Sequence, residues 1–207
     1  MDKIEVRDQD TASFEKGYNL LMAENANMKL IGDEPNQKSW KFIDESTGLL
    51  VLKSVYQVEM PLSHAYKMSD DNKLREQWDK EFFGFEDLGL NSSGEEVLYW
   101  KIKMPTFVTN RDFVVKRLKT KNFKEFDICI LVESTEHPSK PGTSSLVRAV
   151  LKSYIFLKKI DEQTTEIQIV MSLDPKGLIP KFAFNTMANQ VPKRVHKDMV
   201  AGYLKVK

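Results

Sequence analysis

The sequence predicts an α+β fold in which a curved antiparallel sheet packs around one long C-terminal helix. Between residues 81 and 173, apolar and polar side chains alternate in short runs that Pro-, Gly- or Ser-containing links separate. These links are too short for the crossovers that parallel strands need, so the strands are expected to be antiparallel. Residues 177–207 instead repeat apolar side chains at steps of three and four, which is the period of a helix.

The N-terminal part is predicted to contain one helix, two strands and two short helical segments. The helix covers residues 9–24, with Thr11 or Ser13 as its cap, because apolar side chains recur on one face. That face consists of Phe14, Tyr18, Leu21 and Met22. The strands are predicted at 39–46 and 48–60, a short helix at 61–69, and a helix or turn at 70–80.

Six further strands are predicted, at 82–88, 95–104, 111–119, 125–134, 144–157 and 164–173. In the second of these, alternation places Leu98, Trp100 and Ile102 on the same face of the sheet. The final helix has an apolar face about five turns long, and Pro192 is expected to kink it. That face comprises Phe184, Met187, Ala188, Val191, Val195, Met199 and Tyr203.

Composition limits the class of protein. The 207 residues fit one domain, and 41% apolar with 29% charged residues is an ordinary globular balance. A net charge of +1 does not favour nucleic acid as a partner. The single cysteine, Cys129, lies in an apolar run and is expected to be a buried small hydrophobe in a reducing compartment. A cytoplasmic protein is therefore predicted, since no apolar run approaches about 18 residues. The protein is also expected to be a monomer.

Several segments resemble, in order, the motifs of START lipid-transfer domains. YWKIKMPTFVTNRDFVVKR at 99–117 is similar to the family's central motif, in which a Pro-containing loop leads into Asn-Arg-Asp-Phe-Val. Further segments that resemble the family are LREQWD at 74–79, LVRAV at 146–150, SLDPKGLIPKFAFN at 172–185 and NQVPKRVHKDMVAGY at 189–203. The Arg-x-Gln-Trp-Asp, Tyr-Trp and Val-Pro patterns look most like the branch that carries phosphatidylcholine.

The resemblance implies a helix-grip fold in which residues 1–207 form a single START-like domain around a hydrophobic lipid tunnel. It implies that the protein carries one glycerophospholipid, phosphatidylcholine first, and contacts membranes transiently, with no catalytic residues, cofactor or metal. Pattern alone leaves a filled core as the alternative to a tunnel. A sterol or other single-lipid carrier, and a lipid sensor or adaptor, are the alternative functions. An enzyme of the wider superfamily is the weakest alternative, because His64, His137 and His196 fall in different elements.

The phosphate site implied by the resemblance is Arg75. A guanidinium suits this role because its planar fork donates to two phosphate oxygens at once. Asp79, four residues later, is expected to hold Arg75 in place or to approach the choline. The alternative from spacing alone is an exposed helical ion pair, which stabilises a fold by only about 0.3–0.5 kcal/mol.

The headgroup cage implied by the resemblance consists of Trp100, Ile102 and Phe113, with Tyr154 as a looser match. Aromatic faces suit a quaternary ammonium because that cation has no hydrogen-bond donor. Phe113 departs from the family branch, which has tyrosine there, so selectivity for choline stays open. Ordinary strand core is the alternative role for all four residues.

A loop and the last helix are expected to gate the tunnel. The gate and membrane contacts are predicted at Met104, Phe107 and Val108 in the loop, and at Met187, Val191, Val195 and Met199 on the helix. The polar side chains of the same helix either meet anionic headgroups or are solvated; they are Lys193, Arg194, His196 and Lys197. Arg111 and Asp112 are expected to be structural, and Trp78 is expected to anchor its helix.

Overall fold

A computed structural model describes residues 11–23 and 27–207 of the chain. The elements are, in order, α1 (Ala12–Met22), β1 (Lys29–Glu34), β2 (Gln37–Ile43), β3 (Leu50–Val58), α2 (Leu62–Asp70), α3 (Asn72–Trp78), β4 (Phe82–Leu90), β5 (Glu96–Ile102), β6 (Arg111–Phe123), β7 (Phe126–Ser134), β8 (Val147–Arg148), β9 (Val150–Lys159), β10 (Thr165–Asp174) and α4 (Lys181–Val206). Most bounds lie within a few residues of the predicted ones. Residues 9, 10 and 24 of the predicted first helix lie outside the described residues.

The strands form a sheet in the order β1-β2-β3-β10-β9-β7-β6-β5-β4, and each neighbouring pair is antiparallel. The predicted antiparallel arrangement is therefore confirmed for these nine strands. The two-residue strand β8 departs from it, because it pairs in parallel with the start of β6. The prediction of one strand over 144–157 is wrong, since Ala149 separates β8 from β9.

The N-terminal predictions need three corrections. The strand β1 was not predicted, although it pairs with β2 along the edge of the sheet. Thr11 occupies the N-cap of α1, but its side chain makes no capping hydrogen bond. Met22 is exposed rather than part of the buried face of α1, which consists of Phe14, Gly17 and Leu21.

The two faces of the sheet carry separate apolar clusters. One face packs against α2, α3 and α4, and its buried residues include Trp78, Trp100 and Met199. The other face packs against α1 and includes Phe14, Tyr154 and Phe156. Alternation along the strands produces this division, because successive side chains point to opposite faces.

Helix α4 crosses the first of these faces, and the predicted apolar stripe is buried or half-buried there. Its C-terminal end is held closely, because a Cβ atom at Gly202 would lie 2.3 Å from the Cβ of Trp78. This contact confirms Trp78 as a packing anchor. Pro192 lies inside the helix, and the kink expected there stays a prediction. In the described parts of the chain, we find no helix with the length and apolarity to cross a membrane.

Candidate functional site

A cavity of about 610 Å³ lies between the sheet and α4. This volume is within the usual range of about 300–1,000 Å³ for small-molecule sites, so the filled-core alternative is wrong. The cavity walls are mainly apolar and come from six strands and from helices α2, α3 and α4. The apolar lining includes Leu52, Val132, Leu151, Ile155, Ile169, Met171, Leu173, Met187, Val191, Val195 and Met199.

Arg75 lies in the wall of this cavity, at the end of α3. Its Nε and Nη2 atoms donate to the same Asp79 oxygen, Oδ2, at 3.0 and 2.9 Å. The other Asp79 oxygen accepts the backbone N–H of Glu81 at 3.2 Å. Asp79 is 4% exposed and Arg75 is 27% exposed, so the pair is not the exposed helical ion pair of the alternative reading.

The guanidinium of Arg75 also lies over two aromatic rings. Its Cζ atom is 4.4 Å from the ring centre of Phe82 and 5.1 Å from that of Trp100. These contacts orient the cation by attraction to the faces of the rings. Both Nε and Nη2 are bound by Asp79, so the pair and the rings together fix the direction of the remaining Nη1 group. Contacts with the protein itself therefore set the orientation of Arg75 in the cavity wall.

Three of the four predicted cage residues line the cavity with Arg75. Trp100 and Phe113 face each other across the β5–β6 pair, and Ile102 follows on the same face of β5. The Nε1 atoms of Trp100 and Trp78 are buried and have no hydrogen-bond partner among the described residues, and the same holds for the Tyr56 hydroxyl. Buried polar atoms normally have partners, so these three atoms in the cavity lining are candidate contacts for a ligand.

The prediction for Tyr154 is wrong. Its neighbours Ser153 and Ile155 line the cavity, and alternation along β9 therefore turns Tyr154 to the opposite face of the sheet. There its ring stacks on Phe156, with ring centres 6.4 Å apart. Helix α1 covers it so closely that a Cβ atom at Gly17 would lie 2.3 Å from the ring.

The predicted gate residues divide into two groups. Met104, Met187, Val191, Val195 and Met199 line the cavity. Phe107 and Val108 are not part of its lining, and the side chain of Phe107 is fully exposed. Phe107 has a φ of 72° in a loop closed by a 3.0 Å hydrogen bond from the N–H of Val108 to the carbonyl of Pro105. Gating by these residues stays a prediction.

The structural roles predicted for Arg111 and Asp112 are confirmed. Arg111 is 2% exposed and donates to the backbone carbonyls of Thr109, Pro175 and Lys176, with the last two at 2.9 and 2.8 Å. It thereby ties the loop before β6 to the loop before α4. Asp112 accepts two hydrogen bonds from Arg148, at 3.1 and 2.9 Å.

Sequence reasoning missed the position of Arg194. We expected this side chain to face a membrane or water, but it lines the cavity. Its Nη1 atom lies 2.8 Å from Oε1 of Glu81. Burial lowers the pKa of Arg194, and the nearby Asp79 carboxylate opposes that shift. The spacing contains the signal, because Arg194 lies three residues after Val191 and beside Val195 on the apolar stripe.

A second polar cluster borders the cavity where α2 ends. Arg117 is 5% exposed and bonds Asp70 at 2.5 Å, and Lys119 lies 2.8 Å from the same carboxylate. These cations lower the pKa of Asp70, against the opposing effect of its burial. Because both cations are engaged by Asp70 and Glu96, we interpret the cluster as a link between α2 and the sheet.

The remaining candidate reactive groups are engaged or buried. Cys129 is fully buried, and burial raises the pKa of its thiol to about 12, which confirms it as a small hydrophobe. His64 packs edge-on against Tyr203, and His196 contacts Gln37 at 3.1 Å. Within residues 11–23 and 27–207, no group of three or more His, Cys, Asp or Glu residues is arranged to hold a metal ion.

Comparison with known proteins gives the same family as the motifs. The START domain family model matches residues 9–206. A bovine phosphatidylcholine transfer protein is 29% identical over 171 residues, which cover 78% of this chain and 76% of that protein. Human START domain-containing protein 10 is 25% identical over 71% of this chain and half of its own length.

Among solved structures, human STARD10 superposes with a TM-score of 0.83 at 22% identity. The superposition covers 99% of this chain and 83% of that one. At this identity the likeness concerns the fold alone, and it confirms the helix-grip arrangement of sheet and helix. The family match extends over nearly the whole chain, and the chain therefore belongs to the START domain family.

Proposed function

We propose that this protein carries one glycerophospholipid between membranes, with the acyl chains in the cavity and the phosphate at Arg75. The observation that carries the proposal is the position of Arg75 in the cavity wall, where it is fixed by Asp79, Phe82 and Trp100. Asp79 is bonded to only Nε and Nη2 of Arg75, and a guanidinium has five N–H donors, so Arg75 can also donate to a ligand in the cavity. A phosphate attached to two acyl chains supplies acceptors for these donors and apolar surface for the cavity walls.

Phosphatidylcholine is the first candidate ligand. The bovine relative is named for transfer of this lipid, and Trp100, Ile102 and Phe113 line the cavity next to Arg75. The candidate cage is smaller than the resemblance implied, because Phe113 has no hydroxyl and Tyr154 lies on the other face of the sheet. Arg75 also lies over one face of Trp100.

We further propose that the two loops tied by Arg111 touch the membrane during lipid exchange. Phe107 of the first loop, Leu178 of the second, and Phe182 at the start of α4 are exposed large apolar side chains. Solvent-exposed apolar residues grouped at the mouth of a cavity are typical of a surface that meets lipid. Their placement beside the gate residue Met104 brings membrane contact and ligand entry to the same end of the molecule.

The remaining parts of the proposal concern the setting in which transfer occurs. We propose a monomeric cytoplasmic carrier, supported by the sequence's single cysteine, which is buried in the core and suits a reducing compartment. We also propose that binding and release, without catalysis, are its activity. The named relative is a transfer protein, and the cavity is lined mainly by apolar side chains.

The test of the phosphate site is the variant Arg75→Ala. We expect phospholipid transfer between vesicles to fall at least about tenfold, because a lost charge-assisted hydrogen bond exceeds about 1.4 kcal/mol. Lys73→Ala is the matched control, since Lys73 is an exposed cation on the same short helix. Arg75→Lys keeps the charge but removes the fork, and we expect an intermediate rate. A folded Arg75→Ala protein that transfers phospholipid as fast as the control would contradict the proposal.

A further inference from the structure

Arg194 is a second guanidinium in the cavity wall, and it belongs to a different helix from Arg75. Arg75 is carried by α3, whereas Arg194 is carried by α4. The two guanidinium groups bond carboxylates only two residues apart in the chain, because Arg75 binds Asp79 and Arg194 binds Glu81. One end of the cavity therefore has cationic side chains on two separate helices.

The ionised side chains of the cavity lining carry a small excess of positive charge. Arg194 pairs with Glu81, Arg75 with Asp79 and Arg117 with Asp70. Arg111 is engaged by backbone carbonyls, and Lys103 forms no ion pair with a carboxylate within the described parts of the chain. An anionic ligand group is the chemistry that this excess fits. The lining contains five cations and four carboxylates: Arg75, Lys103, Arg111, Arg117, Arg194, Asp70, Asp71, Asp79 and Glu81.

The donors of both arginines suit a shared phosphate. Asp79 is bonded through Nε and Nη2 of Arg75, and Glu81 is contacted by Nη1 of Arg194. A guanidinium has five N–H donors, so each contact with a carboxylate uses only part of its cation. A phosphodiester has two non-bridging oxygens that share its negative charge, so it can accept from two guanidinium groups at once.

We propose that Arg194 is a second phosphate-binding residue, and that a phosphate held between Arg75 and Arg194 ties α4 to α3 and closes the cavity around a phospholipid. This inference rests on the proposed function. Closure of the cavity then depends on the phosphate of the ligand and not only on its acyl chains. A neutral lipid of similar shape fills the cavity but leaves the two helices unlinked.

The two halves of α4 differ in a way that fits this role. The C-terminal half is anchored by the contact of Gly202 with Trp78 and by the burial of Tyr203. Both halves border the cavity, the N-terminal half through Met187 and Val191 and the C-terminal half through Val195 and Met199. Between the halves lies Pro192, which cannot donate the backbone hydrogen bond of a regular helix. Arg194 follows at this weakened turn, where one bond to a ligand most readily changes the position of the N-terminal half.

Hydrogen exchange together with lipid binding tests the inference. Wild-type protein is loaded from phosphatidylcholine vesicles or with diacylglycerol, and amide exchange is followed over residues 181–195. We expect phosphatidylcholine to slow exchange in this segment much more than diacylglycerol does. Arg194→Gln should abolish that difference and weaken phosphatidylcholine binding roughly tenfold, with diacylglycerol binding unchanged. Lys197→Gln, which removes an exposed cation from the same helix, should behave like wild type.

The outcomes separate this inference from the proposed function. If Arg194→Gln and Lys197→Gln bind phosphatidylcholine equally and protect α4 equally, the role of Arg194 is overturned, while an impaired Arg75→Ala protein still supports phospholipid transfer. If Arg194→Gln does not fold, Glu81→Gln provides a second test. Removing this carboxylate frees Arg194, so phosphatidylcholine should bind more tightly. Unchanged or weaker binding in Glu81→Gln would overturn the inference.

Discussion

The two faces of the sheet differ in packing although the same strands build both. The face under α1 is filled by aromatic and aliphatic side chains, with Phe126 and Phe156 only 4.9 Å apart between ring centres. The face under α4 encloses about 610 Å³. Along β9 the two environments alternate residue by residue, since Ser153 and Ile155 line the cavity while Tyr154 and Phe156 are packed against the filled face.

The difference in packing between the two faces suggests that one face mainly stabilises the fold and the other mainly binds the ligand. A side chain that borders a cavity lacks neighbours on one side and contributes fewer dispersion contacts. A side chain on the filled face makes contacts all round, and its truncation leaves a hole that the surroundings only partly close. We therefore expect the α1 face to supply most of the packing that stabilises the fold, and the α4 face to supply the ligand contacts.

The largest expected effect is on the free energy of unfolding, when a phenyl ring is removed from the filled face and, for comparison, from the cavity face. Phe156→Ala should lower the free energy of unfolding by about 3–5 kcal/mol, because Phe156 is fully buried in the filled cluster. Phe113→Ala is the matched variant on the cavity face. It should lower the free energy of unfolding by at least about 1 kcal/mol less than Phe156→Ala does. Urea denaturation measures both values.

The two variants should rank in the opposite order in their effects on lipid binding. Phe113→Ala should weaken phosphatidylcholine binding, whereas folded Phe156→Ala protein should bind with nearly wild-type affinity at low temperature. Equal losses of stability in the two variants, together with equal losses of binding, would contradict the division of roles between the faces.

A smaller effect is expected from Gly17→Ala in α1. Alanine normally stabilises a helix relative to glycine by about 1 kcal/mol, but here the new Cβ would lie 2.3 Å from the ring of Tyr154. Overpacking should prevail and lower the free energy of unfolding by about 1–3 kcal/mol. In a Tyr154→Leu background, Gly17→Ala should lower the free energy of unfolding by less, because the ring that the new Cβ would meet is absent. A Gly17→Ala protein more stable than wild type would show that α1 does not pack tightly on the sheet.

The smallest effect on stability is expected at the mouth of the cavity. The double variant Phe107→Ser, Leu178→Ser alters two fully exposed side chains, so the free energy of unfolding should change by less than about 0.5 kcal/mol. Transfer between vesicles should nevertheless slow several-fold if these residues enter the interface. Unchanged transfer with unchanged stability would remove them from the membrane-contact surface.

The features that sequence predicted well are those that depend on local periodicity. The stripe on α4 from Met187 to Tyr203 follows from helical spacing alone, and the face shared by Trp100 and Ile102 follows from strand alternation. The motifs also located Arg75 correctly in the cavity wall. No pairing partner or register is needed for any of these predictions.

The features that sequence missed depend on distant parts of the chain. Strand β1 contains Gly32 and few apolar residues, and pairing with β2 is what makes it a strand. Tyr154 could not be assigned to a face because β9 is apolar on both sides, so its composition does not mark the cavity side. Arg194 was expected to meet anionic headgroups or water, and only the position of α4 over the cavity shows that it lines the same cavity as Arg75.

Native mass spectrometry of the purified full chain tests the central claim most directly. The account predicts one bound lipid per chain, with the mass and fragmentation of a glycerophospholipid, and loss of that adduct in Arg75→Ala but not in Lys73→Ala. Phosphatidylcholine should be the main headgroup if the aromatic walls act as proposed. A protein that purifies empty and takes up no lipid from phosphatidylcholine vesicles, or one that retains only a sterol, would contradict the account.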